Sequence, residues 1–562
     1  METEKLISIM NVAQNKSKAD LLIRNAQVVN VFTKEIEKID VAVAEGVIAW
    51  MGTPNSNETR DAHVVYDAEG KYLIPGLIDA HCHIEMSFMS PIPFAKTIIK
   101  HGTTAAILDM HDVCNAGINC MHSFAKEIAC TPLKAFLMIP PCVPGTPTLE
   151  EAGANVTLQD IKEAFSLPNA WGIAETMDFV RVLNQEEEMM SILAWAREQN
   201  LLIDGHCPEL RGDDLQAYLS AGILTDHESV SLEEMLEKYR LGMKIILRRG
   251  SLEEPVRAGD FVAKLSDTTN VLLSTDGCIF LDEILDKGHM NRALKAIVSE
   301  GVDPLTAIQM ATINVARAYG VDHQIGSIAP GRKADLVIVN DLENFDVEAV
   351  FLDGKLFDEN NYDVPPYDYP SDVLNTVKLG KVTPEKFTIK TAVDSGEVKV
   401  RVMTLIEGTV ATKEEHEVMT VKNGLLQPDV KRDLLKVAVF DRYRDNGYYA
   451  LGIVRGFGLR SGAFGGSVGQ DSQNLAVVGA NDEDMALVVN TIREMQGGIV
   501  VANNGQVVAK VNLPIAGIMS NIDPRELQKQ FATMHQELAN MGCEFLNPSF
   551  NLSLLLTCAV IP

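Results

Sequence analysis

The sequence predicts an α/β protein: a (β/α)8 TIM-type barrel with a small composite β-sandwich domain and a C-terminal α+β domain. Three observations carry that prediction. Apolar β-branched runs alternate with helical stretches through the middle of the chain, and short β-like segments bracket that region on both sides. A proline-rich connector then separates it from a third region with strands and helices of its own. The expected boundaries are 1–70 plus 325–357 for the composite β domain, 71–324 for the barrel, 358–395 for the linker and 396–562 for the C-terminal domain. A length of 562 residues accommodates several cores.

From Ala19 to about Gly70 the pattern is short and β-like, as in Leu21-Leu22-Ile23 and Val41-Ala42-Val43. Similar stretches return at Leu336-Val337-Ile338-Val339 and Val347 to Phe351, so two distant parts of the chain are expected to pair into one small β domain. Between them lie eight apolar runs: Leu73 to Ile84, Thr103 to His111, Leu133 to Pro140, Ala170 to Thr176, Leu201 to Cys207, Ala221 to Glu228, Met243 to Arg248 and Val271 to Asp276. Eight such runs match the strand count of a (β/α)8 barrel, whose strands are buried on both faces. An open doubly wound sheet is disfavoured because no glycine-rich dinucleotide turn follows the first run. Beyond the connector at Asn360 to Pro370, a strand is predicted over Asn474 to Gly479, with helices near Glu483 to Met495 and Pro524 to Asn540.

Composition narrows the function. With 49 Lys plus Arg against 77 Asp plus Glu, the formal charge is −28. Such an excess of carboxylates repels phosphate backbones and anionic lipid, which argues for a small substrate and against nucleic-acid or membrane partners. No apolar run reaches the length of a membrane helix and Met1 to Lys5 lacks a signal-peptide start, so a cytoplasmic location is expected. The nine cysteines are scattered without close pairs, and reduced thiols are expected. A homo-oligomer, a dimer, is the expected assembly.

In a barrel the reactive side chains sit at the C-terminal ends of the strands. Run one closes with His81-Cys82-His83, whose two imidazoles share a face because strand side chains alternate. Glu175 closes run four, His206 run five, His227 run six and Asp276 run eight, which makes six nitrogen or carboxylate ligands on five strand ends. Imidazole and carboxylate together suit Zn²⁺, Mn²⁺ or Fe²⁺, and six ligands exceed the needs of one tetrahedral ion. Two divalent metal ions are therefore expected, with Glu175 placed to bridge them. Asp109-Met110-His111, at the end of run two, forms another alternating pair that could bind a further ion or support the ligands.

Pro75-Gly76-Leu77-Ile78-Asp79-Ala80-His81-Cys82-His83 and Gly326-Ser327-Ile328-Ala329-Pro330-Gly331 resemble the amidohydrolase superfamily. Segments such as His101-Gly102-Thr103-Thr104, Ala174-Glu175-Thr176-Met177, Asp204-Gly205-His206-Cys207-Pro208, Asp226-His227-Glu228-Ser229 and Leu513-Pro514-Ile515-Ala516-Gly517 resemble the adenine deaminase family within it. That resemblance spans nearly the whole chain. It implies hydrolysis of adenine to hypoxanthine and ammonia, with Mn²⁺ or Fe²⁺, or else Zn²⁺, as the cofactor. It further implies that His81, His83, Glu175 and Asp276 hold one ion, that Glu175, His206 and His227 hold the other, and that Asp276 carries a proton from the attacking water to the departing ammonia. Glu85, two residues beyond His83 and on its face if the strand stays extended, is the expected acid for the ring nitrogen or else an orienter of a ligand histidine.

Two competing motifs fail. His83-Ile84-Glu85 fits the His-x-Glu of cytidine-type zinc deaminases, but Gly145 stands where their second cysteine belongs. Gly456-Phe457-Gly458 lacks the Gly-Lys-Ser/Thr ending of a phosphate loop. Against the family pattern, Gly277 replaces a second aspartate after Asp276, Arg249 replaces a glutamate, Gln470 and Gln473 replace two histidines, and the chain reaches Pro562 early. These departures leave deamination of an N6-substituted adenine or another cyclic amidine as the alternative substrate reading. A noncatalytic scaffold is the alternative of another class.

Overall fold

The computed structural model describes residues 2–53, 60–252, 254–406 and 412–556. The first sheet is built from both ends of the barrel segment. Strand Ala19–Asn30 pairs antiparallel with Glu35–Ala44 and parallel with Ala62–Asp67 and Tyr72–Pro75. Tyr72–Pro75 in turn pairs antiparallel with Leu336–Val339, register Leu336↔Pro75, and Leu336–Val339 pairs with Val347–Leu352. One face packs around Ile23, Val28, Val41, Leu73, Leu336 and Phe351.

Eight parallel strands follow in two sheets. Leu77–Cys82, Thr103–Asp109, Lys134–Ile139, Ala170–Thr176 and Ile203–Gly205 form one, and Thr225–Asp226, Lys244–Arg248 and Val271–Ser274 the other. Backbone hydrogen bonds join their edges, Leu224 N–H to Ile203 O at 3.3 Å and Asp276 N–H to His81 O at 3.0 Å, so the strands make a ring. Alternation divides their side chains. Ile78, Ala80, Ala105, Ile107, Met138, Ala174, Ile246 and Leu272 fill one cluster, while Leu77, Cys82, Leu108, Leu137, Ile173 and Leu247 belong to a second that includes the surrounding helices.

Some expected runs are shorter than their apolar pattern. Leu73 to Ile84 is two strands and a turn: Tyr72–Pro75 serves the first sheet, Leu77–Cys82 the barrel, and Ile84–Ser87 is a 3-10 turn. The break falls at Gly76, where an added Cβ would lie 2.1 Å from Thr104 Oγ1, so only glycine fits the pinch between the two sheets. In the run from Ala221 to Glu228 only Thr225–Asp226 is strand, and residues before it form the turn after helix Gly212–Ser220.

The last region is a nine-stranded sheet running from Leu425–Leu426 at one edge to Gln506–Asn512 at the other. Helix Asp482–Met495 starts on its Asn481 cap, whose side chain accepts from Asp484 N–H, and it buries Met485, Val488, Val489 and Ile492 against the sheet. Helix Pro524–Asn540 starts on an Asp523 cap. This region touches the barrel directly, through Ser520 N–H to Phe88 O and Ser90 N–H to Ser520 O, both at 2.9 Å. The connector lies against the barrel too, with Asn119 donating to Asp372 at 2.6 Å and Tyr369 donating to Glu127. The cysteines at 82, 114, 120, 130, 142, 207 and 278 are free thiols, and no described helix is long and apolar enough to cross a membrane.

Lys238 shows how the short strands are held. It is fully buried on helix Leu232–Arg240 and donates to Asp226 at 2.9 Å, Glu234 at 2.6 Å, Ser229 at 3.2 Å and the Cys207 carbonyl at 2.7 Å. Those partners adjoin His206 and His227. Lys238→Met leaves two buried carboxylates without their cation and is expected to destabilise the fold by about 3–5 kcal/mol. Chemical denaturation of the purified variant measures it, and a loss below about 1 kcal/mol would contradict the role given to Lys238.

Candidate metal centre

His81 is the next-to-last residue of strand Leu77–Cys82 and His83 follows that strand in extended conformation, with φ −107° and ψ 107°, so alternation brings both imidazoles to one place. Their Nε2 atoms lie 3.0 Å apart, and Asp276 Oδ1 lies 3.4 Å from each. His83 Nε2 is also 3.6 Å from Glu175 Oε1. The other Glu175 oxygen, Oε2, is 2.9 Å from His206 Nδ1 and 3.2 Å from His227 Nε2, and those two nitrogens are 3.4 Å apart. All six side chains are buried. The structure thus brings together every residue expected as a ligand, with Glu175 between the two halves.

This donor set fits divalent ions. Ligands that share one ion at about 2.1 Å lie roughly 3.0–3.4 Å from each other in octahedral or tetrahedral geometry, and these separations fall in or close to that range. Glu175 Oε2, between His206 Nδ1 and His227 Nε2, is buried and makes no hydrogen bond of good geometry. Electrostatics points the same way. Burial opposes charge on His83, yet Asp276, Asp109 and Glu175 push it up to about 10, and Glu175 with Asp276 pushes His227 to about 9. Burial likewise opposes ionised Glu175 and Asp276, but the histidines around them, and Arg248 beside Asp276, hold both below the usual carboxylate range. His81 has no such margin, and burial, then His227 and His83, depress it to about 3. Protons on these imidazoles occupy the positions a metal ion takes over on binding.

Asp276 sits at φ +53°, a left-handed conformation that costs a non-glycine residue about 1 kcal/mol or more. Its backbone bond to His81 and the Arg248 guanidinium, 3.0 Å from Oδ2, hold it there. Arg248 also pairs with Glu228 and, at 3.4 Å, with Glu254. Its neighbour Arg249 turns the opposite way and binds Glu300 at 2.7 and 2.6 Å, so the residue that departs from the family pattern does not face the centre. Gly277 is required by packing. It lies at φ +65°, and an added Cβ would stand 2.3 Å from the His83 carbonyl oxygen.

The premise for placing Glu85 fails, because the chain turns into the 3-10 segment directly after His83. The turn nevertheless buries Glu85 among the same groups. Its Oε1 accepts from Val113 N–H at 3.1 Å and its Oε2 has no hydrogen-bond partner. Burial, then the neighbouring Asp112, pushes its carboxyl up to about 8, with His83 and His111 opposing. Asp109 is a brace, accepting from His111 N–H at 2.9 Å and from Glu175 N–H at 3.0 Å. Sequence reasoning missed Asp112 and Arg248. Asp112, beside His111 in the chain, faces His83, and Arg248 closes strand seven, as the six candidate ligands stand at the ends of five other strands.

A narrow crevice of about 10 Å³, room for about one water, adjoins the Gly277-Cys278 turn. Its walls include Phe88, Ile279 and Phe280 from the barrel segment and Val468 and Phe550 from the last region, with the Phe280 and Phe550 rings 5.7 Å apart.

Comparison with known proteins gives two family-model matches: the amidohydrolase family over residues 72–357 and the adenine deaminase C-terminal domain over residues 409–562. The chain is 38% identical to the adenine deaminase of Methanococcoides burtonii over 558 residues, 98% of this chain and 93% of that protein. It is 37% identical to the adenine deaminase of Kosmotoga olearia over 99% of this chain and 95% of that one. With adenine deaminase 3 of Rhizobium meliloti the identity is 36%, covering 99% and 94%.

Protein produced with added Mn²⁺ is expected to carry about two ions per chain by elemental analysis, and less than one would contradict a paired site. Gly277→Ala is expected to drop that content at least tenfold at equal Mn²⁺, because the new methyl must displace the backbone of a ligand. Unchanged content would show that the turn yields.

Proposed function

This chain belongs to the adenine deaminase family of the amidohydrolases, and from that premise we propose that it hydrolyses adenine to hypoxanthine and ammonia. The observation that carries the reading is the convergence of His81, His83, Glu175, His206, His227 and Asp276 on one buried centre with no ligand missing. A noncatalytic scaffold has no need to keep all six. The sequence and the donor geometry support His81, His83, Glu175 and Asp276 as holders of one divalent ion and Glu175, His206 and His227 as holders of the other. Mn²⁺ or Fe²⁺ is the proposed occupant, with Zn²⁺ the alternative. When bound, such ions supply a water that ionises near neutral pH instead of about 15.7.

The chain's own groups handle the protons. Adenine is neutral, which suits a protein whose excess of negative charge repels phosphate-bearing nucleotides. Attack forms a C–O bond at the ring carbon that bears the amine and moves electron density onto the adjacent ring nitrogen. Glu85 protonates that nitrogen; its free Oε2 and raised pKa suit an acid near neutral pH. Asp276 accepts the remaining proton of the attacking water and delivers it to the amine, so the C–N bond breaks with ammonia as the leaving group. Counted over the reaction, Glu85 gives its proton to the ring nitrogen and is restored by the proton that water loses on ionising, and the second proton of water leaves on ammonia.

Ammonia release over a panel of purines tests the substrate. Turnover is expected on adenine, and silence on adenine with turnover on an N6-alkyl analogue would replace the reading by its close alternative. Asp276→Asn is expected to lower kcat at least 10³-fold with little change in thermal midpoint, and Glu85→Gln to lower it about 10²–10⁴-fold with metal content kept. Near-normal rates in either variant would move the proton transfer to another group.

A further inference from the structure

The segment Ser467 to Asn474 joins strands Ala463–Gly466 and Leu475–Gly479 of the last region and lies over the barrel mouth. It reaches the metal centre by two arms. Asp471 Oδ1 lies 3.3 Å from His111 Nε2, and the other ring nitrogen of His111 lies 3.1 Å from Glu175 Oε1. Gln473 donates its amide to Asp112 Oδ1, Gln470 donates to Asp112 Oδ2 at 3.4 Å, and that Oδ2 lies 3.6 Å from His83 Nδ1. Asp112, His111 and Gln473 are all buried, so the two arms run through the protein interior, and their inner links at His111 Nδ1 and His83 Nδ1 are charge contacts and not hydrogen bonds.

We propose that this segment is the outer half of the metal centre: Asp471 and Gln473 are positioning residues that fix Glu175 and His83 through His111 and Asp112. A metal-binding histidine is aimed by what its second ring nitrogen meets, and a bridging carboxylate by what holds its oxygens. Both partners here are themselves held from the other domain. The segment is built to be rigid. Buried Arg442 donates to the Gln473 carbonyl, to Thr376 Oγ1 at 2.8 Å and to Ala516 O at 2.9 Å, and Tyr443 OH donates to the Ser472 and Gln473 carbonyls at 2.9 Å. Gly469 N–H donates to Gln473 Oε1 at 3.1 Å, which spends the amide oxygen and turns the Nε2 hydrogens toward Asp112. A group that presents hydrogens to Asp112 is a brace and not a ligand for another cation.

The proposal rests on the paired metal site above, and metal retention tests it apart from turnover. Mn²⁺-loaded wild type, Asp471→Ala, Asp471→Asn and Gln473→Leu are mixed with a chelator, and release of the ion is timed. Asp471→Ala and Gln473→Leu are expected to release Mn²⁺ about 10–100-fold faster than wild type. Asp471→Asn, which keeps an acceptor for His111 at unchanged size, is expected to fall between and carries the test if the alanine variant is unstable. Thermal midpoints of the metal-free proteins report folding separately. Wild-type release rates in folded Asp471→Asn and Gln473→Leu would overturn the proposal. A wild type with three Mn²⁺ per chain that falls to two in Asp471→Ala would also overturn it, by making Asp471 a ligand. Wild type that holds no Mn²⁺ sinks this proposal and the paired site together.

Discussion

Everything at the barrel mouth depends on the carboxylate of Glu175. An ionised carboxylate removed from water must be surrounded by cations or donors, or it takes up a proton. Glu175 meets that demand from four directions, with His83, His111, His206 and His227 crowding its oxygens. Those side chains come from four barrel strand ends in addition to its own. Their positions are set by the ring of strands, and the ring in turn has to close accurately enough for one carboxylate to touch all of them. The short strands Ile203–Gly205 and Thr225–Asp226, held at their C-terminal ends by Lys238, are where that accuracy is hardest to obtain from sheet pairing alone.

Much of this was legible in the chain. Strand alternation and the ends of apolar runs located His81, His83, Glu175, His206, His227 and Asp276, because each is punctuation at the end of a hydrophobic stretch. Helices Asp482–Met495 and Pro524–Asn540 were visible from their amphipathic periodicity. The break at Gly76 was not, since an apolar run reads the same whether it serves one sheet or two, and the reason for the break is a neighbour, Thr104, that only folding supplies. Glu85 was placed by an extended strand that turns out to end at His83. Asp471 could not be read at all as a partner of His111, because 360 residues separate them and a lone Asp in a glycine-rich turn has no periodicity.

The departures from the family pattern now have physical content. Gly277 sits where any side chain would strike the His83 carbonyl, and Arg249 is committed to Glu300 away from the centre. Neither removes a ligand. Gln470 and Gln473, neutral where histidines are usual, supply amide hydrogens to Asp112, so this chain meets the same buried carboxylate with dipoles. A dipole satisfies a carboxylate without adding charge beside His83, which keeps the local field in the hands of the groups that carry the proposed chemistry.

The clasp between Tyr72–Pro75 and Leu336–Val339 bears on how the protein is made. Its two halves are the most distant partners in the first sheet, and the strand just before the barrel finds its mate only after the whole barrel has been synthesised. At roughly 5–20 residues per second, the ribosome needs on the order of 13–50 s to deliver the second half after the first. For that interval the apolar strands of the first sheet lack the edge that finishes them. Long-range pairing of this kind slows folding and leaves strand edges open to other chains. A nascent chain stalled before Leu336 would therefore be the form most in need of a chaperone.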